Sequence, residues 1–499
     1  MTINDSPPVR PASRPASWQV LLTAIGLLIA GHAPGADVAD ARVSDGPEAA
    51  RLPTQVGRVL DALKLGDETL SVYVAPLDGG DPVMAWNADT PRNPASAVKL
   101  VTTLAAIEVL GPAYRWETEA YTLGPLDDGT LDGDLILRGG GDPFMTAERF
   151  WSFLRGLRAR GVERIAGDLV IDASYFDVIP EDPRAFDGEP YRSYNVQPHA
   201  LLLNFKTVSF QFFPDGKAVR VVPDPPLANL TLDNRLRTAN KACRGFQRGV
   251  AFNLPNGFDD GTVVFSGTFP ARCRAYSLSR TVLTPEQFAW GLFSSLWREI
   301  GGEFDGTVRI GDAPEDERPL FTMRSPTLAE IVRSVNKHSN NVMTRHLLYT
   351  MGAQVEGEPG TEDNGKRAID GWLTENGLEL DSLRLDNGAG LSRDTRISAR
   401  DMVTLLRYGW QSPYSAEFIA SMPLAGLDGT LRKRFKDEPL EGQMHLKTGS
   451  LDHVVALAGY VRSRAGRHYA VAIMHNEEDV HRGTGQQVQD ALLRWVYRL

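Results

Sequence analysis

The segment that most constrains this chain spans residues 93–112. Ser96 and Lys99 stand three apart, so on a helix they share a face about one turn apart, and Thr103 continues that stripe. The positions facing elsewhere are almost all apolar: Ala97, Val98, Leu100, Val101, Leu104, Ala105, Ile107, Val109 and Leu110. A helix apolar nearly all round is a buried helix, so the fold has to enclose this one and leave only its first turn open. A lysine at that turn is desolvated, which disfavours its charged form and lowers its pKa. A neutral amine one turn from a hydroxyl can act as general base to a serine nucleophile.

Ser-x-x-Lys is a cheap pattern, and Ser334 to Lys337 repeats it. A lone copy is usually a helix cap followed by a solvated lysine. Ser96 is preferred because its helix is too apolar to be a solvated face, and Lys337 reads as a helix-end lysine.

The 499 residues suffice for roughly three domains of about 150 each. With 42% hydrophobic and 23% charged residues the chain is globular rather than disordered. Its net charge of −10 argues against a nucleic-acid partner. Arg10 and Arg14 precede an apolar run at 20–30, and Ala33, Gly35, Ala36 and Ala39 follow, as in an export signal. That run is short for a bilayer span. Residues 1–40 are therefore expected to be signal peptide and tether, with an uncleaved interfacial anchor, giving peripheral membrane association, as the alternative. Export implies an oxidising compartment, where the only two cysteines, Cys243 and Cys273, either pair or stay as buried thiols.

Along the chain, helical spacing at 55–65 precedes a hairpin of strands at 70–74 and 82–86 around Asp78-Gly79-Gly80-Asp81. The buried helix stops at Gly111-Pro112. Short strands follow at 134–137, 168–171, 208–212, 219–222 and 262–265, interrupted by one amphipathic helix near 147–160. Pro285 opens an amphipathic run (Phe288, Leu292, Leu296, Ile300), Ser325-Pro326 a second helix and Ser398 a third. The end reads strand, strand, strand, helix, at 445–448, 454–461, 469–474 and 486–497. The expected fold is α/β in the α+β sense. A catalytic domain in two segments, 41–112 and 284–499, carries a β-rich insertion of one or two subdomains at 113–283.

Two more motifs follow Ser96 in order. Ser339-Asn340-Asn341 fits Ser-x-Asn at a helix end, although Ser193-Tyr194-Asn195 fits it too. Lys447-Thr448-Gly449 occurs once, on a predicted strand, and its glycine permits close backbone approach. Together the three resemble the motifs of serine penicillin-recognising enzymes. The gap from Ser96 to Ser339 (339 less 96, 243 positions) is far longer than in compact β-lactamases. A β-rich block directly after the Ser-x-x-Lys helix resembles the D-alanyl-D-alanine carboxypeptidase/endopeptidase family, the penicillin-binding protein 4-like class C low-molecular-mass enzymes (peptidase family S13). So do Gly139-Gly140-Gly141-Asp142-Pro143, Asp386-Asn387-Gly388-Ala389-Gly390-Leu391-Ser392-Arg393 and Ala425-Gly426-Leu427-Asp428-Gly429-Thr430.

The resemblance implies a transpeptidase-like domain, an antiparallel sheet flanked by helices, in a periplasmic hydrolase. Such an enzyme acts on peptidoglycan peptides and binds β-lactam inhibitors. Ser96 would attack a carbonyl carbon with Lys99 taking its proton. Ser339 would pass a proton to the leaving amine, and Asn341 would bind the substrate amide and hold Lys99. Lys447 and Thr448 would hold a terminal carboxylate, and the N–H groups of Ser96 and Ser450 would form the oxyanion hole beside Gly449. Arg393 matches a family arginine for the diaminopimelate carboxylate, and Asp172 the acid that pairs its amine. No cofactor or metal is expected, since the chain has no His-Glu-x-x-His and no cysteine cluster. The rival readings are a β-lactamase and a non-catalytic penicillin- or peptidoglycan-binding protein.

Overall fold

The centre of the molecule is a five-stranded antiparallel sheet built from both ends of the chain. In the computed structural model, which describes residues 51–499 except 244, 246–248 and 275, its order is Met444–Leu451, Val454–Arg462, His468–Asn476, Leu70–Pro76, Met84–Trp86. The expected export segment, 1–40, lies outside the described residues. Among the described residues no helix is long and apolar enough to cross a membrane.

Side chains alternate across this sheet. Leu446, Leu457, Val461, Val471, Ile473, Val72 and Val74 face one apolar cluster, shared with helices Thr54–Leu63 and Thr484–Arg498. Ala456, Ala458, Ala470 and Ala472 face the other, where Leu100, Val101, Leu104 and Ile107 pack. Small residues on that face let helices lie close. The expected buried helix is there, as a single turn Ala95–Val98 running into Lys99–Leu110, with every residue from Lys99 to Ile107 buried. Burying each of its Val, Leu and Ile side chains contributes about 1.5–3 kcal/mol. Helix Leu328–His338 packs beside it, and helix Asn341–Glu356 is buried almost throughout. The first of these starts from Thr327, not Ser325. Thr327 and Glu330 form a reciprocal capping box, while the buried Ser325 hydroxyl accepts the N–H of Trp116.

Residues 117–324 build three more sheets. One apolar cluster joins them, with Phe150, Phe153, Phe210, Phe212 and Phe265 among its members. Cys243 and Cys273 are disulfide-bonded, their Cα atoms 5.4 Å apart.

The return to the sheet-and-helix core expected at 284 falls later. Helix Pro285–Glu299 turns Phe288, Leu292, Phe293 and Trp297 into the cluster of the β-rich block. Strands Glu303–Phe304, Val308–Ile310 and Phe321–Arg324 pair with Arg164–Ile165, Leu169–Asp172 and Glu117–Leu123. Sheet membership moves the junction from 283 to about 325. The helix has the expected amphipathic pattern, but amphipathicity does not say which core it faces.

Candidate active site

Ser96 sits at the mouth of the buried helix in a loop held from three sides. Asn93 accepts the N–H of Ala95 at 2.8 Å, donates to Ser392 O at 2.9 Å and exchanges bonds with Asn476. Ala95 adopts φ 45°, a left-handed conformation that a non-glycine residue keeps only when its surroundings impose it. Gly449 lies against this loop. A Cβ there would stand 2.4 Å from Pro94 O and 3.0 Å from the nitrogens of Ser96 and Ala97. The Lys-Thr-Gly strand, at the edge of its sheet, therefore crosses directly over the start of the helix.

Lys99 is fully buried, and its Nζ has three partners: Ser96 Oγ at 3.0 Å, Asn341 Oδ1 at 2.7 Å and Ala389 O. Burial, and then the nearby charge of Lys447, hold its pKa well below the ordinary lysine value. A neutral amine has two protons and one lone pair. The Asn341 and Ala389 oxygens can only accept, so they take both protons and leave the lone pair to the Ser96 hydroxyl. The loop 386–393 supplies this geometry. Asn387 folds it by accepting the N–H of Ala389 and donating to Leu391 O, and Gly390 fits where a Cβ would strike Ala95 O.

Ser339 ends helix Leu328–His338 in a left-handed conformation, φ 56°. Asn340 then caps helix Asn341–Glu356, its Oδ1 accepting Met343 N at 3.0 Å, and this puts Asn341 on the first helical residue. The Ser339 hydroxyl accepts from Lys447 Nζ at 2.8 Å. Lys447 also donates to Thr448 O at 2.7 Å, and burial brings its pKa down to about 7. The Thr448 hydroxyl is 2.8 Å from that of Thr430, and Ser450 is exposed at the same edge.

The structure thus brings together Ser96, Lys99, Ser339, Asn341, Lys447, Thr448, Gly449 and Ser450. Arg393 lies on a neighbouring cleft of about 470 Å³ lined also by Asn93, Asp452 and His453. Its guanidinium stands 4.9 Å from the Phe186 ring centre and 3.7 Å from Asp452 Oδ2. Asp172 is not part of this group. It is buried in the β-rich block, with Oδ1 accepting from Ser174 N and Oγ and Oδ2 accepting from Ala313 N, while Arg138 lies 3.8 Å away. An acid whose oxygens are engaged this way organises its own loop rather than a ligand amine.

The sequence reading missed several contributors. Ala389 and Tyr194 act through carbonyls, the latter accepting from Asn341 Nδ2 at 3.5 Å, so the discounted Ser193-Tyr194-Asn195 copy rests against the site itself. Arg345, four residues past Asn341, pairs with Glu181 at 2.6 Å and so ties this helix to the segment before Ser193. Lys337 is buried rather than solvated, paired with both oxygens of Asp428 at 2.7 and 2.9 Å.

Residues 52–499 match the model of the D-Ala-D-Ala carboxypeptidase 3 (S13) family. A D-alanyl-D-alanine carboxypeptidase of Actinomadura sp. (strain R39) is 30% identical over 509 aligned positions, covering 97% of this chain and 90% of the relative. The carboxypeptidase DacB of Haemophilus influenzae is 26% identical, over 77% of this chain and 80% of its own. The crystal structure of penicillin binding protein 4 from Haemophilus influenzae superposes with a TM-score of 0.75 at 23% identity, covering 89% of this chain and 99% of that one.

Proposed function

Because this chain belongs to the D-Ala-D-Ala carboxypeptidase 3 (S13) family, we infer that it is a serine DD-peptidase of peptidoglycan stem peptides that is acylated by penicillins. The observation that carries the assignment of its residues is the triple contact of the Lys99 amine, with two pure acceptors and the Ser96 hydroxyl.

The Ser96 proton passes to Lys99 Nζ as Oγ attacks the carbonyl carbon of the penultimate D-Ala. The N–H groups of Ser96 and Ser450 take the developing negative charge; Gly449 lets the strand lie close against the start of the helix, which brings the two groups to the same mouth. Collapse breaks the C–N bond, and the leaving amine takes a proton through Ser339, which Lys447 orients. Water then attacks the acyl carbon and gives a proton to the Lys99 amine; collapse breaks the bond between that carbon and Ser96 Oγ, and Lys99 returns the proton to Oγ as the acid product leaves. Lys447 and Thr448 hold the leaving group's carboxylate. Burial lowers the pKa of Lys447 to about 7, and an arriving carboxylate draws it to the charged form. The strand lies at the edge of its sheet, and beyond the stretch that residues 423–425 cover, an extended peptide can lie alongside it. Arg393 receives a carboxylate of the acyl-donor peptide. The leaving group is a terminal D-Ala or the amine side of a cross-link.

We place the enzyme outside the cytoplasm, in the periplasm. The signal-like pattern of 1–40 and the Cys243–Cys273 disulfide support this. Ser96→Ala should abolish both covalent labelling by benzylpenicillin and D-Ala release from monomeric muropeptides. Labelling retained by that variant would sink the assignment.

A further inference from the structure

The turn Gly429–Leu431 is pressed onto the end of helix Leu328–His338. A Cβ on Gly429 would lie 2.7 Å from Lys337 O, and Lys337 Nζ clasps Asp428. This packing gathers Lys337, His338, Thr430, Arg432 and Lys433 around a cleft of about 390 Å³. The cleft begins where the Lys-Thr-Gly strand ends its work, since Thr430 and Thr448 share a hydroxyl hydrogen bond. It shares no lining residue with the Arg393 cleft.

Its charge is unusual for a chain of net charge −10. The adjacent carboxylate of Asp428 is engaged by Lys337 and by Leu424 N. Arg432 and Lys433 are exposed, and among the described residues their side chains make no ion pair or hydrogen bond. Surface arginines and lysines with free charge concentrate anions from solution. Here they stand just past the hydroxyl that would hold the carboxylate beside the scissile bond.

We propose that Arg432 and Lys433 form a leaving-strand subsite that recognises free carboxylates beyond the one adjacent to the scissile bond. A terminal D-Ala has no such carboxylate, whereas the leaving strand of a cross-link does. The subsite thereby favours cross-linked substrates. This rests on Lys447 and Thr448 holding the leaving group's first carboxylate.

The test uses cross-linked stem-peptide dimers whose leaving strand has its remote carboxylates either free or amidated. Wild-type enzyme should cleave the free dimer with a KM about fivefold lower than the amidated one, the size of two exposed charge contacts. In the Arg432→Gln/Lys433→Gln protein that ratio should fall to about one. Active enzyme is counted by benzylpenicillin titration, so misfolded protein does not enter the ratio. Equal KM values for both dimers with wild type, or an unchanged ratio in the double variant, would overturn the subsite. Binding of the same dimers to Ser96→Ala separates the two claims. Preferential binding of the free dimer without cleavage by wild type would sink the peptidase reading and keep the subsite, and cleavage without preference would do the reverse.

Discussion

The charge on Lys447 pushes the amine of Lys99 further toward neutrality than burial alone does. The two lysines therefore divide the labour, one neutral as base and the other charged for a carboxylate. Acylation needs Lys99 deprotonated, so it fails below the lowered pKa of Lys99. It also needs Lys447 protonated, so in free enzyme it declines as pH rises through about 7. The kcat/KM for a D-Ala-D-Ala peptide should be bell-shaped with its alkaline limb near 7, while the alkaline limb of kcat lies higher, because a bound carboxylate raises the pKa of Lys447. Steady-state profiles from acid to alkaline pH check this. An alkaline limb at the same pH in both would show that Lys447 does not meet the substrate's charge.

Gly449→Ala tests the oxyanion assignment without touching a reacting side chain. The added methyl would sit 2.4 Å from Pro94 O, so the edge strand must retreat from the start of the buried helix. Losing one oxyanion donor costs about 10²–10³ in rate. The second-order rate of benzylpenicillin acylation should fall by about that factor in protein that is still folded, as judged by its circular dichroism at the assay temperature.

How much of this was legible in the sequence depends on which atoms carry each role. Ser96 and Lys99 could be read because an apolar helix with one polar stripe is a periodic pattern, and the later motifs follow in a fixed order. Ala389 and Tyr194 contribute main-chain carbonyls, which any residue supplies, so composition and spacing are silent about them. Lys337 looked like a solvated helix end because its partner, Asp428, lies 91 positions away. The helix after Thr284 was found at its true start, yet assigned to the wrong core. Asp172 meets a related limit: an acid after a strand can serve a ligand or its own turn, and sequence does not show the N–H groups that engage it here.

Arg393 and Asp172 should accordingly separate in experiment. Arg393 is exposed on a cleft, its charge shared loosely with Asp452 and Phe186. Arg393→Ala should raise KM about tenfold for peptides with a free carboxylate on the acyl-donor side chain, as expected for one charge-assisted contact, and change acylation by benzylpenicillin far less. Asp172→Ala removes the acceptor of three part-buried donors, Ser174 N, Ser174 Oγ and Ala313 N, at about 1 kcal/mol of stability for each hydrogen bond lost. It should lower the melting temperature and leave KM for the same peptides where it was. A tenfold KM change in Asp172→Ala would restore it to the substrate site.

Lys447 also stores a cost that the fold bears for function. Its pKa falls from the ordinary lysine value of about 10.4 to about 7 on folding, so between those pH values the unfolded chain binds the extra proton and stability rises with pH. Replacing it with methionine removes that penalty but leaves Ser339 Oγ and Thr448 O without a donor, at about 1 kcal/mol each. At neutral pH the burial penalty, several kcal/mol by the same linkage, is the larger effect. Lys447→Met should therefore stabilise the protein by about 2 kcal/mol at neutral pH while abolishing turnover of carboxylate-terminated peptides. That gain should shrink as pH rises toward the ordinary lysine pKa and reverse there, because the unfolded chain then loses its proton as well. Denaturant unfolding of both proteins at neutral and alkaline pH decides it. A variant less stable than wild type at neutral pH would mean that the lysine's hydrogen bonds outweigh its desolvation.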